Sequence, residues 1–357
     1  MASVVFFLNL FLFSLALTNF FTIRKPEESI SIAQTIDVLI PVRNEQENIP
    51  ELVASLKAQI NLHAVRFIFI DDSSTDNTAS LIKERTQNDP RFSLISADPL
   101  PAGWLGKPWA LSQGFSAGTG RIVITLDADV RLEPQAISSC VALLDKRNVD
   151  FISPYPRQLA ISLSERLIQP LLQWSWLATV PLRIAEKSSR TSLAVANGQF
   201  FIAKRISLET ISGFNQISDQ VLDDIELSRA LIGAGFHGMV VDGSRVATTR
   251  MYKSFSEIKN GYGKSLWKAF GSVQGSIGVV VFLAFTSIYP LYLALNLNPL
   301  GILALELIIG TRLLAAKSTQ GNLRDTFLHP LSIAVLIYLI LFSWRNRSTV
   351  QWKGRSL

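Results

Sequence analysis

The chain has 357 residues, of which 48% are hydrophobic and 17% charged, and its formal net charge is +6. Soluble domains carry roughly 25% charged residues, and the shortfall here is local: no charged residue or histidine precedes Arg24, and none lies between Lys268 and Glu306. This excludes a purely soluble protein, a disordered chain, and a multi-span transporter with no sizeable cytosolic part. The single cysteine, Cys140, excludes an internal disulfide framework and a cysteine-rich zinc site, and His63, His237 and His329 are too scattered for a metal cluster. The basic excess flanks apolar segments, which points to a membrane rather than to nucleic acid.

Residues 4–21 are apolar apart from Asn9, Ser14, Thr18 and Asn19, long enough to cross a bilayer core of roughly 30 Å. A cleaved signal peptide would begin with positive charge. Here the charge follows, at Arg24 and Lys25, which favours a signal anchor over residues 1–24 with the rest entering the cytoplasm. Residues 31–245 then alternate β-rich runs with helical patterns. Strands are expected at 36–42, 65–70, 92–97, 122–126 and 150–153, and helices at 47–59, 75–85, 107–117 and 134–146. That order predicts an α/β domain with a mostly parallel sheet and helices on both faces, whose ligands sit beyond the carboxyl ends of the strands.

Acidic and glycine-rich motifs fall at those strand ends. The first strand closes on Pro41-Val42-Arg43-Asn44-Glu45 and the second on Asp71-Asp72. Asp71 or Asp72 could accept a hydrogen bond from a base or ribose, with Ser74 or Asp76 capping the next helix. In Gly103-Trp104-Leu105-Gly106-Lys107-Pro108, a mobile cation and a helix N-terminus together suit a phosphate, although the spacing is not that of a P-loop. The aliphatic strand 122–126 ends abruptly in Asp127-Ala128-Asp129. If the chain stays extended, both carboxylates face one ligand, a pair suited to Mg²⁺ or Mn²⁺ with a nucleotide. Farther on, Asp223-Asp224 opens a helix, where acids complement the helix dipole or supply a general base.

These motifs, in this order, resemble family-2 glycosyltransferases of the GT-A fold over about residues 34–268. Within that family, Gly103–Ala110, Asn197-Gly198-Gln199-Phe200, Arg250-Met251-Tyr252-Lys253-Ser254 and Trp352-Lys353-Gly354-Arg355 look like membrane-bound carotenoid and isoprenoid-lipid glycosyltransferases. The resemblance implies a nucleotide-sugar donor held by Pro41, Asn44, Glu45, Asp71, Asp72, Lys107, Asp127 and Arg250. It implies a divalent metal on Asp129, Asp224 as catalytic base, and Asp223, Asn197 and Gln199 in support. Processive members carry Gln-x-x-Arg-Trp; Ala247-Thr248-Thr249-Arg250-Met251 lacks both Gln and Trp, which counts against a polymerase and leaves Arg250 to neutralise diphosphate.

Residues 246–272 mix Tyr252, Phe255, Tyr262, Trp267 and Phe270 with Lys253, Lys259, Lys264 and Lys268, the pattern of an interfacial amphipathic segment. Residues 273–345 follow as membrane helices. The uncharged run is about 55 Å long as one helix, too long for one crossing, and Asn296-Leu297-Asn298-Pro299 divides it into spans at 277–295 and 299–315. Arg312 is expected to snorkel from the end of the second. The run 330–344 is short, and reads as re-entrant or interfacial. Three C-terminal crossings would place the basic tail, 346–357, on the wrong side. The expected protein is therefore an integral protein of the plasma membrane, or of another membrane facing the cytoplasm. It joins a nucleotide sugar to a lipid acceptor in the bilayer and binds no nucleic acid. A polyprenyl-phosphate or glycolipid sugar transferase, or a non-catalytic nucleotide-sugar scaffold, are the alternatives.

Overall fold

The computed structural model describes residues 1–347, 351–352 and 355–356; Lys353 and Gly354 of the basic tail lie outside the described residues. The chain divides into two compact units: Arg24–Arg157 with Ile184–Thr249, and Met1–Ile23 with Gln158–Arg183 and Arg250–Leu357. The sequence carries the catalytic domain unbroken through 31–245, whereas the structure groups Gln158–Arg183 with the helices of the second unit.

The first unit is built on a seven-stranded sheet. Its strands are β1 (Ile32–Val42), β2 (Leu62–Asp71), β3 (Phe92–Ser96), β4 (Ile122–Leu126), β5 (Phe151–Tyr155), β6 (Phe200–Lys204) and β7 (Gly238–Asp242), in the order β3-β2-β1-β4-β6-β5-β7. The pairs β1–β2, β1–β4, β2–β3 and β5–β7 are parallel, while β6 runs antiparallel to both neighbours. Alternation along a strand sends successive side chains to opposite faces. Ile36, Val38, Ile40 and Val42 of β1 join one core with Leu52 and Leu56 of the helix Ile49–Lys57 and Cys140 and Leu144 of the helix Ala136–Arg147. Leu39 joins the other, with Leu111 of the helix Gly106–Ala117 and Leu227 and Leu231 of the helix Asp223–Gly233. Both faces are therefore covered, as the α/β reading requires.

Asp37 is the exception inside β1. It is fully buried and takes Arg66 at 2.8 Å, Arg205 at 3.2 Å and the amide of Gly120 at 2.5 Å. A Cβ on Gly118 or Gly120 would run into this carboxylate, which explains the glycines of that turn.

In the second unit, four helices are long and apolar enough to cross a membrane: Ala2–Thr22, Val273–Leu295, Pro299–Ser318 and Leu323–Arg345. The last is longer than the apolar run 330–344, because the turn Leu323–Leu328 extends it. Ala2–Thr22 and Pro299–Ser318 run parallel: Val5 clusters with Ala304, Phe13 lies on Gly310, and Lys317 sits over Phe20. Val273–Leu295 runs against Ala2–Thr22, since Leu293 joins Val5 while Asn9 donates to the carbonyl of Thr286. Leu323–Arg345 in turn runs against Val273–Leu295, because His329 meets Ser287 and Trp344 meets Ser276. Arg312 does not snorkel. It is 1% exposed, inside the bundle.

Candidate active site

Parallel β1, β2 and β4 deliver their carboxyl ends to one edge of the sheet, and the antiparallel course of β6 brings its start there too. Leu126 pairs with Phe200, so Asp127 N–H donates to the carbonyl of Gln199 at 3.0 Å. At this edge Lys107, from the first turn of its helix, contacts Asp127 at 2.7 Å, Asp223 at 3.4 Å and the Gly198 carbonyl at 3.4 Å. Asp224 accepts from the amides of Gly198, at 2.7 Å, and Ile225, at 2.8 Å. A Cβ on Gly198 would stand 3.2 Å from both the Asp224 Cβ and the Lys107 Nζ, tight enough that a neighbour would have to give by a few tenths of an ångström.

Residues 127–130 do not stay extended. Val130 N–H donates to the Asp127 carbonyl in a tight turn, so the two carboxylates take different partners, Asp127 the ammonium of Lys107 and Asp129 the hydroxyl of Thr249. Thr249 lies on the short strand Ala247–Thr249, which pairs antiparallel with Val130–Leu132.

The electrostatics are lopsided. Burial, followed by the neighbouring Asp127, pushes Asp129 up to about 6. Burial, followed by Asp223, does the same to Asp224, also to about 6, against the opposing pull of Lys107. Asp127 is raised by burial too, with Lys107 opposing. Burial alone would lower Lys107, but Asp127 and Asp223 hold its pKa above the ordinary lysine value. One ammonium thus faces Asp127, Asp223 and Asp224, while Asp129 and Glu45 add further negative charge. Among the described residues no group of three or more His, Cys, Asp or Glu is arranged to cage a metal. A divalent cation at this edge would have only isolated carboxylates such as Asp129 as protein ligands and would need water and substrate oxygens to complete its shell.

The two loops after β1 and β2 are knitted together. Asn44, at φ 52°, accepts the Thr75 amide on its side-chain oxygen, and Glu45 N–H donates to the Thr78 hydroxyl. Asp76 takes the Thr78 amide and hydroxyl, one residue ahead of the helix N-cap Asn77. Asp71 accepts the Ser74 amide, and Arg43 donates to the Asp72 carbonyl at 2.5 Å. Pro41, next to the end of β1, faces Ile70 of β2.

Asn197 and Gln199 brace the acidic edge. Asn197 exchanges hydrogen bonds with Ser153, its side-chain oxygen accepts the Gln199 amide at 2.8 Å, and Gln199 reaches Thr249 at 3.4 Å. Buried Tyr155, which sequence reasoning missed, hydrogen-bonds Asn197; burial raises its pKa. Only its place at the end of a strand could have signalled it. Arg250 belongs to the other unit, where it pairs with buried Glu165 at 2.9 Å.

A sheet of this order, with acidic strand ends meeting a lysine, defines a GT-A-type α/β domain, and the glycosyl transferase family 2 model matches residues 37–211. Over those residues the chain carries a family-2 glycosyltransferase domain. It is 26% identical over 339 residues to a 4,4'-diaponeurosporenoate glycosyltransferase of Staphylococcus haemolyticus (strain JCSC1435), covering 90% of this chain and 88% of that protein. An undecaprenyl-phosphate 4-deoxy-4-formamido-L-arabinose transferase of Enterobacter sp. (strain 638) is 34% identical over 113 residues, 31% of this chain and 34% of that protein. Among solved structures, the mannosyltransferase PcManGT of Pyrobaculum calidifontis, in complex with GDP-Man and Mn²⁺, superposes with TM-score 0.51 at 15% identity, covering 97% of this chain and 99% of that one. That likeness concerns the fold.

Proposed function

We propose that the protein transfers a hexose, glucose from UDP-glucose, to a hydroxyl of a membrane lipid, a carotenoid, with inversion at the anomeric carbon. The observation that carries this reading is the meeting of Lys107 with Asp127, Asp223 and Asp224 at the carboxyl edge of the sheet. Asp71 or Asp72 meets the uracil, and Pro41, Asn44 and Glu45 shape the loop beside it. Asp127 lies by the ribose or phosphate, and Asp129 would hold Mg²⁺ or Mn²⁺. When bound, that cation offsets charge on the leaving diphosphate.

Lys107 adds a fixed positive charge toward the phosphates, and Asp224 takes the acceptor proton. The new bond joins acceptor oxygen to the anomeric carbon as the bond to diphosphate breaks, and the proton ends on Asp224. A carboxyl with a pKa of about 6 is ionised at neutral pH and more basic than an ordinary aspartate, as a general base should be. One carboxylate acting once predicts a single displacement. Arg250 is left to neutralise diphosphate on the family resemblance alone; Asp223, Asn197 and Gln199 support the site.

The relative named for carotenoid glycosyl transfer supports the acceptor. Similarity to an undecaprenyl-phosphate sugar transferase over 113 residues favours a second reading, with a polyprenyl phosphate as acceptor. The apolar helices support work on a membrane lipid, with the catalytic unit on the cytoplasmic face of the plasma membrane. Asp224→Asn should abolish transfer while leaving metal-dependent UDP binding intact; unchanged transfer would refute the base. Lipid extracts of a deletion strain identify the acceptor. Loss of a glycolipid with carotenoids unchanged would overturn the carotenoid.

A further inference from the structure

Among the described residues Arg312 is the largest fully buried side chain, and neither its Nη1 nor its Nη2 has a hydrogen-bond partner there. Asp325 acts on it electrostatically, but that carboxylate is already gripped on both oxygens by Arg166. His329, on which Arg312 acts electrostatically, is buried with no partner at Nδ1. In the same unit Gln173 Nε2 and Ser332 Oγ are also buried without a partner. Neighbouring acceptors are spent elsewhere: the Thr311 hydroxyl takes the Trp174 indole N–H at 2.7 Å. A buried guanidinium with no free counter-charge calls for an anion, and ionisable groups inside membrane helices are rarely idle.

We propose that Arg312 anchors a second binding site, for the oxyanion group, phosphate or carboxylate, of a bilayer lipid. Arg312 lies six residues before Ser318, about 9 Å along the helix axis from its end, near head-group depth. Leu313, next to Arg312, is 42% exposed, and Phe327 and Leu331, which flank His329 in sequence, are 75% and 50% exposed, an apolar surface suited to the tail of such a molecule. A free inorganic anion gains nothing from that surface. The site does not depend on the transfer reaction proposed above.

The test is thermal unfolding of the full chain in neutral detergent with palmitate, dioleoyl phosphatidate, methyl palmitate or phosphatidylcholine. Saturating anionic amphiphile should raise Tm by about 5 °C, neutral amphiphiles should not, and Arg312→Met should remove the response. A response to palmitate alone assigns the site to lipid acids, and one to phosphatidate alone assigns it to phospholipids. Equal shifts from charged and neutral amphiphiles, no shift at all, or an undiminished shift in Arg312→Met would overturn the proposal. Should Arg312→Met fail to fold, native mass spectrometry of the wild type decides: an anionic lipid retained and displaced by the effective probe supports the site, and its absence refutes it.

Discussion

At the residue scale the acidic edge works by imbalance. Asp224 sits at about 6 because burial and Asp223 outweigh Lys107. A base must be deprotonated, so the proposed mechanism predicts that kcat/KM falls as pH drops through about 6, by about tenfold per unit below it. A pH–rate profile flat to pH 5 would remove Asp224 from that role. Gly198→Ala places a methyl 3.2 Å from both the Asp224 Cβ and the Lys107 Nζ. Because a small misplacement of a reacting group costs about 10²-fold, turnover should drop by one to two orders of magnitude with the melting temperature little changed. Asp127, Asp129 and Asp224 stand out in the sequence as candidates because acids ending a buried aliphatic run, or clustering at a helix start, are costly without a task. Tyr155, Thr249 and the role of Gly198 do not, since each matters only through a neighbour distant in the chain. Glu165 beside Arg250 was hidden for the same reason.

At the scale of elements, the strands of the N-terminal half could be read because short β-rich runs alternate regularly with helical patterns. The direction of β6 could not. Phe200-Phe201-Ile202-Ala203 has the same apolar pattern either way, and its orientation is fixed only by pairing with β4 and β5. That reversal places Asn197–Gln199 beside Asp127. The turn at 127–130 likewise escaped notice, because spacing alone assumes an extended chain. Asp37 holds the opposite end of β1 through Arg66 and Arg205. Asp37→Ala would leave the buried side of Arg205 uncompensated and should destabilise this unit by about 3 kcal/mol, read from urea denaturation. A loss below about 1 kcal/mol would mean that the network does not stabilise the fold.

At the scale of the whole molecule, the direction of the helices answers the problem posed by the basic tail. Leu323–Arg345 runs the same way as Pro299–Ser318, yet only residues 319–322 join them. That link reaches at most about 18 Å, too little to recross a hydrocarbon core of about 30 Å. This predicts a last helix that starts within the bilayer depth and returns to the face where Ser318 and Thr22 emerge. A re-entrant course for 330–344 is the corresponding expectation, and it would place the tail on the side that the charge rule favours. Cys140 is the single cysteine and is fully buried, so the wild type is a clean background for labelling. Cysteines at Glu84 and at Arg347 should react with an impermeant maleimide from the same side of sealed vesicles. Labelling from opposite sides would make the last helix a full crossing.

The bond from Asn9 to the Thr286 carbonyl spans 277 positions of sequence. Translation proceeds at about 5–20 residues per second, so the first helix waits on the order of 15–55 s before its partner carbonyl exists. During that interval a nascent N-terminal helix inserted in lipid would carry an unsatisfied amide. Biogenesis of this enzyme thus includes a timed dependence of its first helix on its last third. Release of chains ending before Thr286 should leave the anchor exposed to quality-control proteolysis even where the catalytic sheet has already folded.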